Sequence, residues 1–136
     1  VPMGIRKKGK KLTTDSKGTL DLGGLQQTLR EFAKARDWEQ FHTPKNLAMA
    51  LSVEAAELLE IFQWTTAEES HTIMATKGED VRDELADIVV YCVRLADQLK
   101  VDLPSAIAAK MKKNAAKYPP ELARGSSKKY TELGDN

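Results

Sequence analysis

A chain of 136 residues that is 41% apolar and 30% charged has the makeup of one soluble globular domain, which excludes the disordered and fibrous classes. Its formal net charge of +1 hides an asymmetry: Arg6, Lys7, Lys8, Lys10, Lys11 and Lys17 face Asp15 alone near the start, and the remainder is acidic. The single cysteine, Cys92, excludes an internal disulfide and a cysteine-based zinc site. With no apolar run of about 18 residues and no secretory apolar core, a reducing, cytoplasmic setting without membrane partners is expected.

Residues 1–19 are basic and almost free of apolar side chains, so they are expected to form a flexible arm with too little burial to offset ordering. A solvated arm outweighs a nucleic-acid contact there, and a nucleic-acid partner is not expected. From Leu20, the residues Leu22, Leu25, Leu29 and Phe32 recur at intervals of three and four, which predicts a first helix to Arg36 with Asp21 or Thr19 as cap. Thr43 followed by Pro44 predicts the start of a second helix, running to about Trp64, with Leu47, Leu51, Ala55, Leu58 and Phe62 on its apolar face.

Thr66 can cap a short helix in the linker that ends near Gly78. A third long helix is expected from about Glu79 to Leu99, with Val81, Leu85, Ile88, Cys92, Leu95 and Leu99 as its stripe. Asp102 and Pro104 open a fourth, which Pro119 and Pro120 end after Tyr118. No period-two alternation and no internal repeat is present, so the fold class is all-α: a helical domain over residues 20–119 and a polar tail over residues 120–136.

The second helix carries Glu54 and Glu57 and the third carries Glu84 and Asp87, each pair three residues apart and therefore on one face. Antiparallel packing of these helices would gather four acids, which repel one another unless a cation is present. Oxygen ligands without a thiol or imidazole suit Mg²⁺ or Mn²⁺, and such a site commonly grips phosphate oxygens. A di-iron bundle would need Glu-x-x-His on two helices, and only Glu68 and His71 have that spacing. His42 is accordingly read as a surface or loop residue and His71 as a solvated one.

The order ExxE, about two dozen residues, then ExxD resembles the MazG-like all-α nucleoside triphosphate pyrophosphohydrolases. The blocks DWEQFHTPKN, SVEAAELLEIFQW, DELADIVVYCVRLA, VDLP and KMKKNAAKYP are similar to the dCTP pyrophosphatase branch of that family. The resemblance implies a four-helix bundle with antiparallel long helices. It also implies cleavage of a deoxynucleoside triphosphate between its α- and β-phosphates, with Glu54, Glu57, Glu84 and Asp87 as Mg²⁺ ligands. Glu57, ahead of Glu54, would be the group that orients or deprotonates water. Trp38 and Trp64 would wall the base pocket, Tyr91 would face the sugar, and Lys110, Asn114, Lys117 and Tyr118 would face the triphosphate and sugar. A homo-oligomer, dimer or tetramer, is implied too, in keeping with how little a small helical domain buries alone.

One departure bears on substrate choice: Leu29 stands where dCTP-preferring animal members carry a histidine, so strict preference for cytosine is not implied. The contrasting reading is a non-catalytic helical interaction module whose acids are a solvated face and whose basic arm engages a partner. A related helical hydrolase acting on phosphoribosyl-ATP or dUTP is the third.

Overall fold

The computed structural model describes residues 18–134, so the basic arm, apart from its last two residues, lies outside the described residues. Among the described residues every regular element is helical. They fall into two compact units, the first ending at Lys100 and the second beginning at Val101.

The first unit is built from α1 (Leu22–Ala35), α2 (Pro44–Phe62), the one-turn α3 (Ala67–Ser70) and α4 (Met74–Gln98), with a 3₁₀ turn at Glu39–Phe41. Asp21 caps α1 by accepting from Gly24 N–H at 2.9 Å, and Thr43 caps α2 by accepting from Asn46 N–H at 3.2 Å. Thr66 and Glu69 form a reciprocal capping box on α3, which satisfies two orphan donors at once. Both α1 and α2 pack on α4. The core comprises Leu25 and Ala33 of α1, Leu47 of α2, and Val81, Val93 and Ala96 of α4. Leu47 is fully enclosed and contributes about 2–3 kcal/mol of burial.

Helix α4 opens at Met74, but Lys77, with φ of −126° and ψ of 21°, is non-helical and kinks it, so the long regular helix resumes at Gly78, next to its expected start near Glu79. Gly78 is buried, and a Cβ there would sit 3.3 Å from the Arg82 guanidinium. One expectation is corrected: the buried face of α4 is rotated from the expected stripe. Leu85 and Leu99 are exposed, whereas Val93, Arg94 and Ala96 are buried along the segment that packs on α1.

The chain leaves α1 through Asp37, whose φ of 53° is left-handed. That turn returns Trp38 N–H to Ala33 carbonyl at 2.9 Å and lays the indole edge-on against Phe32, with ring centroids 5.8 Å apart.

The second unit contains α5 (Leu103–Lys117) and the one-turn α6 (Pro120–Ala123). Asp102 caps α5 by accepting from Ser105 N–H at 3.0 Å, and Pro104 takes the first turn as expected. The segment after Pro120 is ordered as one helical turn and a 3₁₀ turn, and Tyr130 packs edge-on against Tyr118 at 6.2 Å.

Candidate active site

Glu54 and Glu57 of α2 meet Glu84 and Asp87 of α4. Ligand oxygens of Glu54, Glu84 and Asp87 lie within 4.8 Å of one another, close enough for one cation to touch all three. Glu57 is exposed beside them and outside this tight trio, though its charge reaches both Glu54 and Glu84. The two helices run antiparallel here, since Glu54 meets Glu84 and Asp87, whereas Ile61 and Trp64, later on α2, share a depression with Lys77 and Asp80, earlier on α4.

Burial and the crowding of like charges together set the protonation of the cluster. Burial, then the adjacent Glu84 and Glu57 carboxyls and the Asp87 charge, push Glu54 up to about 7. At Glu84 the contact with Glu54 pulls downward, but burial and the charges of Glu57 and Asp87 outweigh it and the carboxyl is raised. Glu84 Oε2 is buried without a hydrogen-bond partner. A buried carboxylate oxygen with nothing to accept from is costly, and a cation between the trio would satisfy it. The donor set, all carboxylate oxygen, fits a hard divalent metal.

Asp87 also opens onto a cavity of about 280 Å³ lined by Leu29, Phe32, Trp38, His42, Val90, Tyr91 and Arg94. Trp38 and Tyr91 are thus brought together with a member of the acid cluster. Tyr91 is raised by burial first and by the Glu54 and Asp87 charges, so its hydroxyl keeps its proton. Trp64 is 88% exposed and lines a different depression of about 420 Å³, with Glu57, Lys77 and Glu84. The two tryptophans therefore stand on separate hollows around the acids. Lys110, Asn114 and Lys117 lie on α5 and Tyr118 caps it, with the Lys117 ammonium 4.7 Å from the Tyr130 ring centroid.

His42 lies in the loop between the 3₁₀ turn and α2, as expected, but is more engaged than a solvated residue. It is half-buried, and its Nδ1 accepts from Arg94 Nε–H at 3.2 Å. Arg94 is only 4% exposed and also donates to Asp97 at 3.4 Å. Burial first, then the Arg94 charge, holds the His42 imidazole below its usual range. An arginine inside the apolar run VVYCVRLA was the one available signal, because a buried cation demands partners.

An acid cluster built from two long antiparallel helices is the arrangement expected of MazG-like proteins, and the MazG-like family pattern matches residues 49–133. The chain belongs to the MazG-like family. It is 50% identical to human dCTP pyrophosphatase 1 over 114 residues, covering 82% of this chain and 67% of that protein. The bovine dCTP pyrophosphatase 1 is 49% identical over 114 residues, covering 82% of this chain and 68% of that protein. The crystal structure of a pyrophosphatase from Archaeoglobus fulgidus superposes with a TM-score of 0.69 at 42% identity, covering 72% of this chain and 92% of that one. Among the described residues no helix is long and apolar enough to cross a membrane.

Proposed function

We infer that the protein is a nucleoside triphosphate pyrophosphohydrolase, cleaving deoxynucleoside triphosphates, dCTP among them, to the monophosphate and pyrophosphate. The observation that carries this reading is the trio Glu54, Glu84 and Asp87 with its orphaned Glu84 oxygen, joined through Asp87 to an aromatic cavity. Family membership and the names of the relatives point the same way.

Glu54, Glu84 and Asp87 would hold Mg²⁺, with Mn²⁺ a chemical alternative, and Glu57 would complete the set. Mg²⁺ bound there supplies neutralisation of triphosphate charge and a lowered pKa for water. Glu57, outside the tight trio, would orient a water and take its proton as the water oxygen attacks phosphorus, with Glu54 the second choice. The bond to the pyrophosphate oxygen then breaks. Trp38 offers an indole face to the base, and Tyr91 keeps a protonated hydroxyl at the cavity wall. Trp64, from its own depression, would approach the nucleotide from the side of Glu57 and Glu84. For Lys110, Asn114, Lys117 and Tyr118, the support for contacts to triphosphate and sugar is the family resemblance alone.

Exposed apolar side chains favour a homo-oligomer, dimer or tetramer: Met49 and Val53 one turn apart on α2, Leu59, and Leu85 and Val89 one turn apart on α4. A cytoplasmic nucleotide-pool role fits the single free Cys92. The test is a panel of triphosphates with a pyrophosphate readout. Release from at least one deoxynucleotide, abolished by chelator, is expected, and silence across the panel would overturn the reading.

A further inference from the structure

We propose that Tyr130, carried back to the end of α5 by a hook in the C-terminal tail, is a positioning residue for the Lys117 ammonium and aims that cation at the oligophosphate of the substrate. This rests on the hydrolase reading above, in which Lys117 faces the triphosphate, and adds a residue of the tail to it.

The hook follows from the sequence. Neither Pro119 nor Pro120 has a backbone N–H to continue α5, so the chain turns away at Tyr118 and makes only the single turn of α6. Gly125, with φ of 72°, takes a left-handed backbone and bends the chain again. Ser126 N–H donates to the Ala123 carbonyl at 3.0 Å, and Ser126 Oγ accepts from Lys128 N–H at 3.2 Å, which closes the bend. Tyr130 then opens the 3₁₀ turn Tyr130–Glu132 and comes back to the helix end, its ring edge-on to Tyr118 at 6.2 Å and 81°. The Lys117 ammonium lies 4.7 Å from the Tyr130 ring centroid, within cation–π range.

A lysine carries its charge on a flexible four-carbon stem and loses that freedom when it grips a ligand. Holding the ammonium on a ring beforehand removes part of this cost. The kind of partner matters as well. A carboxylate would neutralise Lys117 and compete with a phosphate, whereas an aromatic face leaves its charge and its N–H donors available. Among the described residues no carboxylate pairs with Lys117. The neighbouring charges have the same sign, since residues 110–129 carry seven cationic side chains against Glu121 alone. Such a run suits a polyanion, and an oligophosphate is the polyanion of the proposed reaction. Of these seven cations, Lys117 alone is set on an aromatic ring among the described residues. Tyr130 is itself 42% exposed, so its removal opens no buried cavity.

The experiment is calorimetry with inorganic pyrophosphate in Mg²⁺ on the full chain, together with KM and kcat for the deoxynucleotide cleaved fastest. Tyr130→Ala should weaken pyrophosphate binding and raise KM by about 2- to 5-fold, as expected for one exposed cation–π contact, with kcat unchanged. Tyr130→Phe keeps the ring face and should match wild type. In a Lys117→Met background, Tyr130→Ala should have no further effect, because the ring then has no ammonium to aim. Wild-type affinity in a folded Tyr130→Ala protein, or an equal loss in the Lys117→Met background, overturns the inference. So does a Tyr130→Phe protein as weak as Tyr130→Ala, or a wild type that binds no pyrophosphate. Each of these leaves the hydrolase reading standing as long as wild type cleaves a triphosphate. Should it cleave none while pyrophosphate binding keeps the Lys117–Tyr130 coupling, the hydrolase reading fails and the aimed cation stands.

Discussion

Arg30 of α1 donates from Nε, at 2.7 Å, and from Nη2 to the two carboxylate oxygens of Asp97 on α4. Asp97 thereby serves two cations, because the buried Arg94 also donates to it at 3.4 Å. Removing Asp97 would strand a cation that is 4% exposed, whereas Arg30 is largely solvated and needs its partner less. Asp97→Asn should cost about 2–4 kcal/mol in denaturant unfolding, and Arg30→Ala should cost less. Arg30 first, then Arg94, outweighs burial and holds the Asp97 carboxyl below its ordinary value of 3.8. Its stabilising share is present above 3.8 and is lost as pH falls through the lowered folded value, so Asp97→Asn should flatten the acid limb of the stability profile. Equal losses from both substitutions would contradict this ordering.

Glu54 gives the opposite sign. Its folded value of about 7 lies above its ordinary 4.5, so its contribution is full below 4.5 and disappears as pH rises through about 7. In chelator, the melting temperature should therefore fall between pH 5 and 8, roughly the span of that titration. Mg²⁺ or Mn²⁺ should reverse the fall and release protons on binding near neutral pH. Glu54→Gln should remove most of the pH dependence. A flat profile in chelator, or metal binding without proton release, would count against the crowded carboxylates.

Trp38 is argued to stack on the base, and truncating an aromatic platform typically costs about 1–3 kcal/mol per base. Trp38→Ala should raise KM roughly 5- to 150-fold while kcat changes less. Trp38→Phe should recover much of the loss. The Phe32 contact at 5.8 Å means some stability is lost too, so melting temperature is measured alongside. A KM unmoved in a folded Trp38→Ala protein would remove the indole from the site.

The self-association expected of the exposed face is tested by placing a charge in it. Val53→Glu or Val89→Glu should shift the sedimentation coefficient toward a monomer, since a buried unpaired carboxylate opposes docking. Unchanged association would place the contact elsewhere.

The elements were legible where a cap announced them. Asp21, Thr43 with Pro44, Thr66 with Glu69, and Asp102 with Pro104 each start a helix as their chemistry dictates. The acid cluster was legible because a spacing of three on two helices is a local property. Gly78 marked a real break, since the non-helical Lys77 stands just before it and the long helix runs on from there. The His42–Arg94 pair spans 52 residues, so no periodicity reveals it. Nor could spacing alone separate Trp38 from Trp64, which flank helix ends alike but line different hollows.

Glu54, Glu84 and Asp87 are proposed to hold one divalent cation that hydrolysis of a triphosphate requires. The most direct measurement is Mn²⁺ binding by electron paramagnetic resonance together with pyrophosphate release, on wild type and Glu84→Gln. Bound Mn²⁺ and activity should disappear together in Glu84→Gln while the fold survives, because the orphaned oxygen no longer attracts a cation. A folded Glu84→Gln protein that binds Mn²⁺ as tightly as wild type and releases pyrophosphate as fast would contradict it.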